Sequence, residues 1–234
     1  MTRNLIKNLK DKKYRKENAI FLLEGEKFCR DILKANIEIL YTITTNKSLK
    51  DFPNIVLVDE KTLHSLATTV TPQDIICVCA KKFAENTPKS NSLILDRIQD
   101  PGNVGTLIRS AIAFGFDDIY LIDSADVYKE KVIRSSVGAV FNANIHKISL
   151  EELIRTKATI AENFIVADMV GEKLSNFKKK QGRIALIVGN EGAGVCDTLI
   201  NISNIKLSIP MTDKIESLNA GVAGSIIMQR IYEK

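Results

Sequence analysis

The sequence predicts two α/β domains, of which the second contains a parallel sheet. Apolar runs alternate with stretches of helical periodicity along the chain, as in α/β proteins. In the second half the apolar runs are continuous, which is typical of strands buried on both faces of a parallel sheet. A polar stretch, AENTPKSNS at 84–92, has nothing to bury and separates the two halves. We therefore expect an N-terminal domain at 1–85, a linker at 86–92 and a C-terminal domain at 93–234.

In the N-terminal domain, runs rich in β-branched residues predict strands, and the intervening segments predict helices. Phe28, Ile32 and Leu33 recur at the spacing of one helical face. The predicted strands are 19–25, 37–45, 54–59 and 74–82, and the predicted helices are 26–36 and 60–68.

The C-terminal domain shows the same alternation with longer apolar runs. Runs such as DIYLID and RIALIVG have the composition of buried strands. The predicted strands are 93–96, 118–123, 163–170, 183–189 and 205–210, and the predicted helices lie near 104–114, 129–139, 150–157 and 217–232.

Composition indicates a globular protein of 234 residues, with 45% hydrophobic and 26% charged residues. No run approaches the roughly 18 uncharged apolar residues of a membrane span. The basic N-terminus lacks the apolar core of a signal peptide, so we expect a cytoplasmic protein without a membrane partner.

The cysteines and histidines do not form a metal-binding pattern. Cys77 and Cys79 alternate within one predicted strand, which favours small apolar core residues in a reducing compartment. His64 and His146 lie far from any cysteine pair, so the sequence predicts no metal site. A catalytic cysteine–histidine pair has no supporting motif.

The positive charge is concentrated at the N-terminus. Residues 1–16 carry seven lysines and arginines against one acidic residue, although the whole chain has a net charge of only +5. Such a segment indicates a docking point for nucleic acid. The alternative is a solvated helix face, because Leu5, Ile6 and Leu9 have helical spacing. The candidate nucleic-acid contacts are Lys12, Lys13, Arg15 and Lys16.

Three loops follow strands of the C-terminal domain, where ligands of open parallel sheets bind. In the first, DRIQDPGNVGTLIRSAIAFG, Gly102 and Gly105 flank Asn103. With a helix beginning at about Val104, Arg109 falls on its first turns and can reach an anionic group there. The alternative is that Arg109 is only a surface charge.

The second loop, LIVGNEGAGV at 186–195, contains three glycines in six residues, so a ligand can approach its backbone. Neither a phosphate-binding loop nor the dinucleotide spacing is present, and a plain tight turn is the alternative. The third loop, IPMTDKIESLNAGVAGSI at 209–226, has more small residues than helix stability favours.

Together the three loops carry N-x-G-x-x-x-R, G-N-E-G-x-G and I-P-M followed by E-S-L-N. In this order they resemble the motifs of the SpoU (TrmH) family of RNA ribose 2′-O-methyltransferases, of the SPOUT class, over about 93–230. The segment KYRKENAIFLLEGEKF at 13–28 is similar, more loosely, to the family's small α/β ribosomal-protein-like RNA-binding domain.

This resemblance implies a deep trefoil knot, S-adenosylmethionine bound against the knot loops, and a homodimer acting on RNA. It also implies that the small residues near the C-terminus make room for backbone, cofactor and dimer partner. The implied catalytic residues are Arg109, Asn103, Glu191 and Asn219. The implied cofactor residues are Gly189, Asn190, Gly192, Ile209, Pro210, Met211, Ser217, Leu218 and Asn219.

The expected substrate is 23S ribosomal RNA, favoured over tRNA by the extra domain and its basic end. Arg134, near a turn of small residues, is a further candidate RNA contact, against a surface salt bridge. Two other classes of function remain open. One is a non-catalytic RNA-binding protein of this fold, and the other is a nucleotide-dependent enzyme of ordinary doubly wound fold.

Overall fold

A computed structural model describes residues 2–35, 37–69, 71–178 and 180–233. The chain divides into two compact units, 1–82 with 128–130 and 83–127 with 131–234. The segment expected to be a linker, 86–92, belongs to the second unit, and its last residue, Ser92, begins a strand. Each unit has its own sheet.

The N-terminal unit is built on a mixed four-stranded sheet of order β1-β4-β2-β3. Strand β4 is antiparallel to β1 and β2, and the short β3 is parallel to β2 at the edge. The elements are α1 Thr2–Lys10, α2 Lys12–Glu17, β1 Ile20–Glu24, α3 Glu26–Leu33, β2 Ile39–Thr44, β3 Ile55–Leu57, α4 Glu60–His64 and β4 Ile75–Ala80.

Helix α1 confirms the helical spacing at the N-terminus. Ile6 and Leu9 are buried and pack in one apolar cluster with Leu63 of α4 and Ile76 of β4. The basic segment is therefore anchored to the unit through one face of α1, and its lysines lie on the outside.

Glu24, at the end of β1, is a buried carboxylate that holds the segment 68–73. It accepts hydrogen bonds from the backbone N–H groups of Thr68 at 2.8 Å and Gln73 at 3.0 Å, and from the hydroxyl of Thr69 at 2.5 Å. Burial raises the pKa of Glu24, but these hydrogen bonds together outweigh it and leave the pKa below its ordinary value. Glu24 is thus ionised in the folded protein at neutral pH.

The second unit contains a six-stranded sheet of order β10-β8-β9-β5-β6-β7, and every strand pairing in it is parallel. This confirms the predicted parallel-sheet domain; the knot stays a prediction. From β5 onward the elements are β5 Ser92–Asp96, α5 Pro101–Ala113, β6 Asp118–Ile122, α6 Glu130–Ser135, a 3-10 helix Ala139–Asn142, β7 Asn144–Lys147, α7 Leu150–Ile160, β8 Asn163–Lys173, a 3-10 helix Leu174–Asn176, β9 Ile184–Gly189, α8 Asp197–Ile202, β10 Ile205–Ser208 and α9 Ala220–Glu233.

Several helix boundaries differ from the predicted ones. Helix α5 begins at Pro101, not near Val104, because Asp100 caps the helix and proline suits its first position. Helix α6 ends early, since Val137 and Gly138 adopt positive φ. Among the short elements that were not predicted are helix α2, the edge strand β7 and helix α8.

A buried polar group lies where β6 begins. His146 Nε2 and Asp118 Oδ1 are 2.9 Å apart, the second carboxylate oxygen accepts from Ser90, and the ring of Tyr120 stacks on His146. This is the opposite end of the strands from the three candidate loops. Among the described residues, no group of three or more ligating side chains could hold a metal ion, and no helix is both long and apolar enough to cross a bilayer.

Candidate active site

The site loops leave the carboxyl ends of β5, β9 and β10. Strands β5 and β9 are direct neighbours, with Asp96 opposite Gly189, so the first two loops start side by side. Strand β10 lies at the sheet edge beyond β8. The third loop nevertheless returns toward the first, because the helix that follows it, α9, packs on α5.

A hydrogen-bonded chain joins all three loops. Asn103 Nδ2 donates to Glu191 Oε1 at 2.7 Å, and Asn219 Nδ2 donates to Asn103 Oδ1 at 2.8 Å. Asn103 is buried in the first turn of α5, whereas Glu191 and Asn219 are exposed. Three of the four candidate catalytic residues thus lie together, although Asn103 and Asn219 are 116 residues apart in the chain.

Arg109 does not belong to this cluster. Because α5 begins at Pro101, Arg109 is its ninth residue, and at 1.5 Å per residue it lies about 12 Å along the axis from the helix start. The expected position on the first turns is therefore wrong. Its exposed guanidinium makes no hydrogen bond or ion pair with the residues that the structure describes.

The glycine-rich loop after β9 closes on itself. Asn190 Oδ1 accepts from the backbone N–H groups of Gly192 and Ala193, each at 3.0 Å, and Gly194 N–H donates to the Asn190 carbonyl at 2.9 Å. A Cβ on Gly189 would lie 2.3 Å from the Gly194 carbonyl carbon, so Gly189 is required by the loop itself. A Cβ on Gly192 would meet no atom nearer than 3.7 Å, which leaves this face of the turn open to a ligand.

An ion pair between a half-exposed arginine and a buried carboxylate, which no sequence motif indicated, anchors the same loop. Arg97 Nε and Nη2 donate to the two oxygens of Asp96, each at 2.9 Å, and Nη2 also reaches the Gly194 carbonyl at 3.2 Å. Asp96 is 1% exposed and also accepts from the Cys196 backbone N–H. The hydrogen bond to Asp96 raises the pKa of Arg97. Arg97 adopts φ +58°, a strained conformation that no sequence pattern marks for arginine.

The third loop has the properties of a binding segment for a nucleoside. Outside the sheet ladder and the turn at Asp213–Lys214, Ile209–Leu218 form no backbone hydrogen bond with the described part of the chain, so most of their N–H and C=O groups are available to a ligand. Met211 and Ile215 are 37% and 54% exposed and provide apolar surface. Free main-chain groups beside apolar side chains fit S-adenosylmethionine, whose adenine needs both. Of the other candidates here, Ile209 and Leu218 are half-buried, and Pro210 and Ser217 are exposed.

The small residues of α9 serve helix packing. A Cβ on Gly224 would lie 2.3 Å from Leu107 Cδ2, and one on Gly221 would lie 3.2 Å from Thr106 Cβ, both in α5. Ser225 and Ser110 share a hydrogen bond of 2.7 Å between the same helices. The crowding that the sequence suggested is therefore explained within this chain by the close approach of α5 and α9.

The candidate RNA contacts lie on different elements. Lys12, Lys13 and Lys16 are exposed on α2, where Lys13 is 3.9 Å from Glu17. Arg15 is half-buried and donates to the Leu9 carbonyl at the end of α1. Burial lowers the pKa of Arg15, and nearby Asp11 opposes this shift.

Arg134 is exposed on α6, in the second unit. The candidate RNA contacts are thus divided between the two units.

Two family models match the chain. The model described as the SpoU rRNA methylase family matches residues 90–229, and one described as an MRM3-like substrate-binding domain matches residues 4–77.

Among relatives, the 23S rRNA (guanosine(2553)-2′-O)-methyltransferase RlmP of Bacillus subtilis is 32% identical over 96% of this chain and 93% of its own length. A putative TrmH family tRNA/rRNA methyltransferase of Staphylococcus epidermidis is 27% identical over 93% of this chain and 88% of its own.

Solved structures show the same fold over the full chain. An rRNA methyltransferase from Sinorhizobium meliloti with bound AdoMet superposes with a TM-score of 0.88 and 25% identity, covering 100% of this chain and 95% of that one. A putative TrmH-family RNA methyltransferase from Porphyromonas gingivalis gives a TM-score of 0.82 and 26% identity, covering 99% and 98%.

Proposed function

The chain belongs to the SpoU rRNA methylase family, and from that premise we propose that it transfers a methyl group from S-adenosylmethionine to a ribose 2′-hydroxyl of 23S ribosomal RNA. The observation that carries the proposal is the hydrogen-bonded chain Glu191–Asn103–Asn219, which joins the three loops that follow β5, β9 and β10. The relative from Bacillus subtilis, whose name specifies a guanosine of 23S rRNA, supports the substrate.

When bound, S-adenosylmethionine supplies a methyl group on a positively charged sulfur; the 2′-oxygen attacks the methyl carbon, and the electron pair of the carbon–sulfur bond stays on the sulfur. The protein's task is to hold the attacking oxygen in line with that bond, which contributes up to about 7–11 kcal/mol. Asn190, Gly192 and the segment Ile209–Leu218 would hold the cofactor through main-chain groups and apolar contacts.

Arg109 would stabilise the negative charge that develops on the 2′-oxygen. Its guanidinium has five donors and no acceptor, and no carboxylate among the described residues pairs with it. A charged group without an acceptor cannot take up a proton, so we assign it a hydrogen bond to the 2′-oxygen and the neighbouring phosphate. The 2′-hydroxyl proton then passes to that phosphate or to water.

Glu191 and Asn219 would position the ribose and the cofactor loops around Asn103. Only one oxygen of Glu191, Oε1, forms a hydrogen bond with the described residues, so Oε2 is available to accept from a ribose hydroxyl. Asn103 is buried and hydrogen-bonded through both its amide nitrogen and its amide oxygen, and we assign it the role of fixing the orientation of Glu191 and Asn219.

We further propose a homodimer. Val222 and Ile226 are 45% and 38% exposed on successive turns of α9, which packs on the helix that carries Arg109. Exposed apolar side chains on a helix that packs against the helix of the unpaired Arg109 fit an interface between two chains that bind RNA together. Light scattering should give twice the chain mass of 26.0 kDa, and a monomer at micromolar concentration would contradict it.

We assign RNA binding to residues 1–85 and methyl transfer to 93–234.

The four cysteines are free, which fits the reducing cytoplasm.

Incubation of the purified protein with methyl-labelled S-adenosylmethionine and unmodified transcripts tests the function. Label in a 2′-O-methylnucleoside of 23S rRNA is expected. Label only in tRNA would show that tRNA, and not 23S rRNA, is the substrate. If the protein binds RNA but no RNA is labelled, a non-catalytic protein of this fold is favoured.

A further inference from the structure

The N-terminal unit contains an open groove of about 710 Å³ between α1, the segment after β2, and the β3–α4 connection. Its walls include Ile6, Lys7, Lys10, Lys47, Leu57 and Asp59. All of its lining residues belong to this unit. The volume lies within the range of about 300–1,000 Å³ that is usual for ligand sites.

The groove is positively charged, and its lysines are not neutralised. Lys7, Lys10 and Lys47 are exposed, and none forms an ion pair with the described part of the chain. The one carboxylate in the lining, Asp59, is engaged as the cap of α4, where it accepts from the Thr62 N–H at 2.7 Å. That hydrogen bond lowers the pKa of Asp59 and keeps it ionised, so the lining carries three positive charges against one negative charge. The groove therefore favours an anionic ligand.

The groove also has an apolar wall. Leu57, the last residue of the edge strand β3, is 51% exposed, and Ile6 and Val58 lie in the same lining. An inorganic anion gains nothing from such a wall. A strand of nucleic acid has both features that the groove complements, because phosphates alternate with bases that have apolar faces.

We infer that this groove binds a single-stranded segment of the RNA substrate, with phosphates on Lys7, Lys10 and Lys47 and a base against Leu57. The inference rests on the proposed function, since it takes RNA as the ligand. The match of residues 4–77 to a substrate-binding domain supports it. It also assigns the main contacts to lysines other than Lys12, Lys13 and Lys16 of α2, which do not line the groove.

The test compares two lysine triples in the full chain. RNA binding is measured without S-adenosylmethionine, on the fragment of unmodified 23S rRNA transcript that the natural sequence binds best, at several salt concentrations. The groove triple is Lys7→Gln, Lys10→Gln and Lys47→Gln, and the matched control is Lys12→Gln, Lys13→Gln and Lys16→Gln. Thermal unfolding confirms that both triples fold.

The groove triple should lower the slope of log K against log salt by about 2, since each single-strand phosphate contact contributes about 0.7. At 0.15 M salt its RNA Kd should rise about tenfold or more. The control triple should change both quantities less. Equal losses in the two triples, or no loss in the groove triple, would overturn the inference.

Leu57→Ser tests the apolar wall separately. It should weaken RNA binding about threefold to tenfold and leave the salt slope unchanged, because it removes a base contact and no charge. Natural affinity for RNA in this variant would overturn the assignment of a base to Leu57.

These outcomes are separable from the proposed function. Methyl transfer that does not depend on the groove lysines would overturn only the inference that the groove binds RNA. Groove-dependent RNA binding without methyl transfer to any RNA would overturn only the proposed reaction.

Discussion

Asn103 and Glu191 lie 88 residues apart in the chain and share a hydrogen bond of 2.7 Å. The amide group of Asn103 donates to the glutamate, while its carbonyl oxygen accepts from Asn219. Both sides of one buried amide are thus used, which fixes its orientation. Asn103 thus connects the loop after β9 with the loop that precedes α9 through hydrogen bonds.

Replacing Asn103 by aspartate should break the connection to Glu191 through charge repulsion. The new carboxylate would face Glu191 at hydrogen-bonding distance, and two such groups cannot both ionise without cost. We expect S-adenosylmethionine binding at pH 8 to weaken about tenfold or more and to recover partly near pH 5, where the pair can share a proton. Calorimetry across this pH range measures it.

Asn103→Ala is the control for this prediction. It removes the hydrogen bonds without adding charge, so its binding should show no recovery at low pH. Natural affinity of Asn103→Asp at pH 8 would contradict the role assigned to Asn103.

Two glycines of one loop should respond differently to a single methyl group. Gly189→Ala should destabilise the fold by about 1–3 kcal/mol, because its Cβ would meet backbone atoms of Gly194 and Val195 at 2.3 Å. Gly192→Ala should leave the free energy of unfolding nearly unchanged, because its Cβ would meet no atom nearer than 3.7 Å. Urea unfolding distinguishes them, and equal stability of the two variants would refute the packing account.

Glu24 should make the stability of the N-terminal unit depend on pH. Its pKa in the folded state is below the ordinary value of about 4.3, so the unfolded chain binds more protons. The stabilisation is present above that value and is lost as the pH falls through the lower folded pKa. Glu24→Gln should be less stable at pH 7 and show a flatter decline in acid.

Thermal unfolding from pH 7 to pH 3 tests this prediction. Glu60→Gln, which removes an exposed carboxylate of α4, is the control and should retain the natural decline. If Glu24→Gln loses stability between pH 7 and pH 3 as the natural chain does, other groups cause that loss.

Arg109 should affect methyl transfer more than binding. Arg109→Ala should retain most of the RNA affinity and lose transfer by a factor of about 10² or more, as for other lost oxyanion donors. Arg109→Lys should remain impaired at every pH, because a point charge cannot reproduce the guanidinium fork. Recovery of Arg109→Lys activity with rising pH would instead indicate that residue 109 acts as the base.

The sequence was most informative where a motif and the sheet topology agree. Continuous apolar runs predicted the parallel strands, and the three motifs pointed to Asn103, Glu191 and Asn219, which the fold brings together. Their meeting could not be derived from spacing, because it depends on the packing of α9 against α5.

Other features depend on contacts that no local pattern reveals. Gly102 was expected to precede a helix that begins near Val104, yet it lies in the first turn of α5, and Gly105 of the same helix lets it approach Ser135. The preceding Asp100-Pro101 was the signal of the helix start. No sequence pattern indicates the ion pair of Asp96 and Arg97, because tertiary contacts stabilise the positive φ of Arg97.

The most direct measurement of the central claim is a ribose-methylation map of 23S rRNA from cells with and without this protein, by mass spectrometry. We predict one 2′-O-methylnucleotide that disappears in the absence of the protein. It should return with the natural chain and fail to return with Arg109→Ala at equal abundance. An identical 23S rRNA map in both cells, or full restoration by Arg109→Ala, would contradict the account.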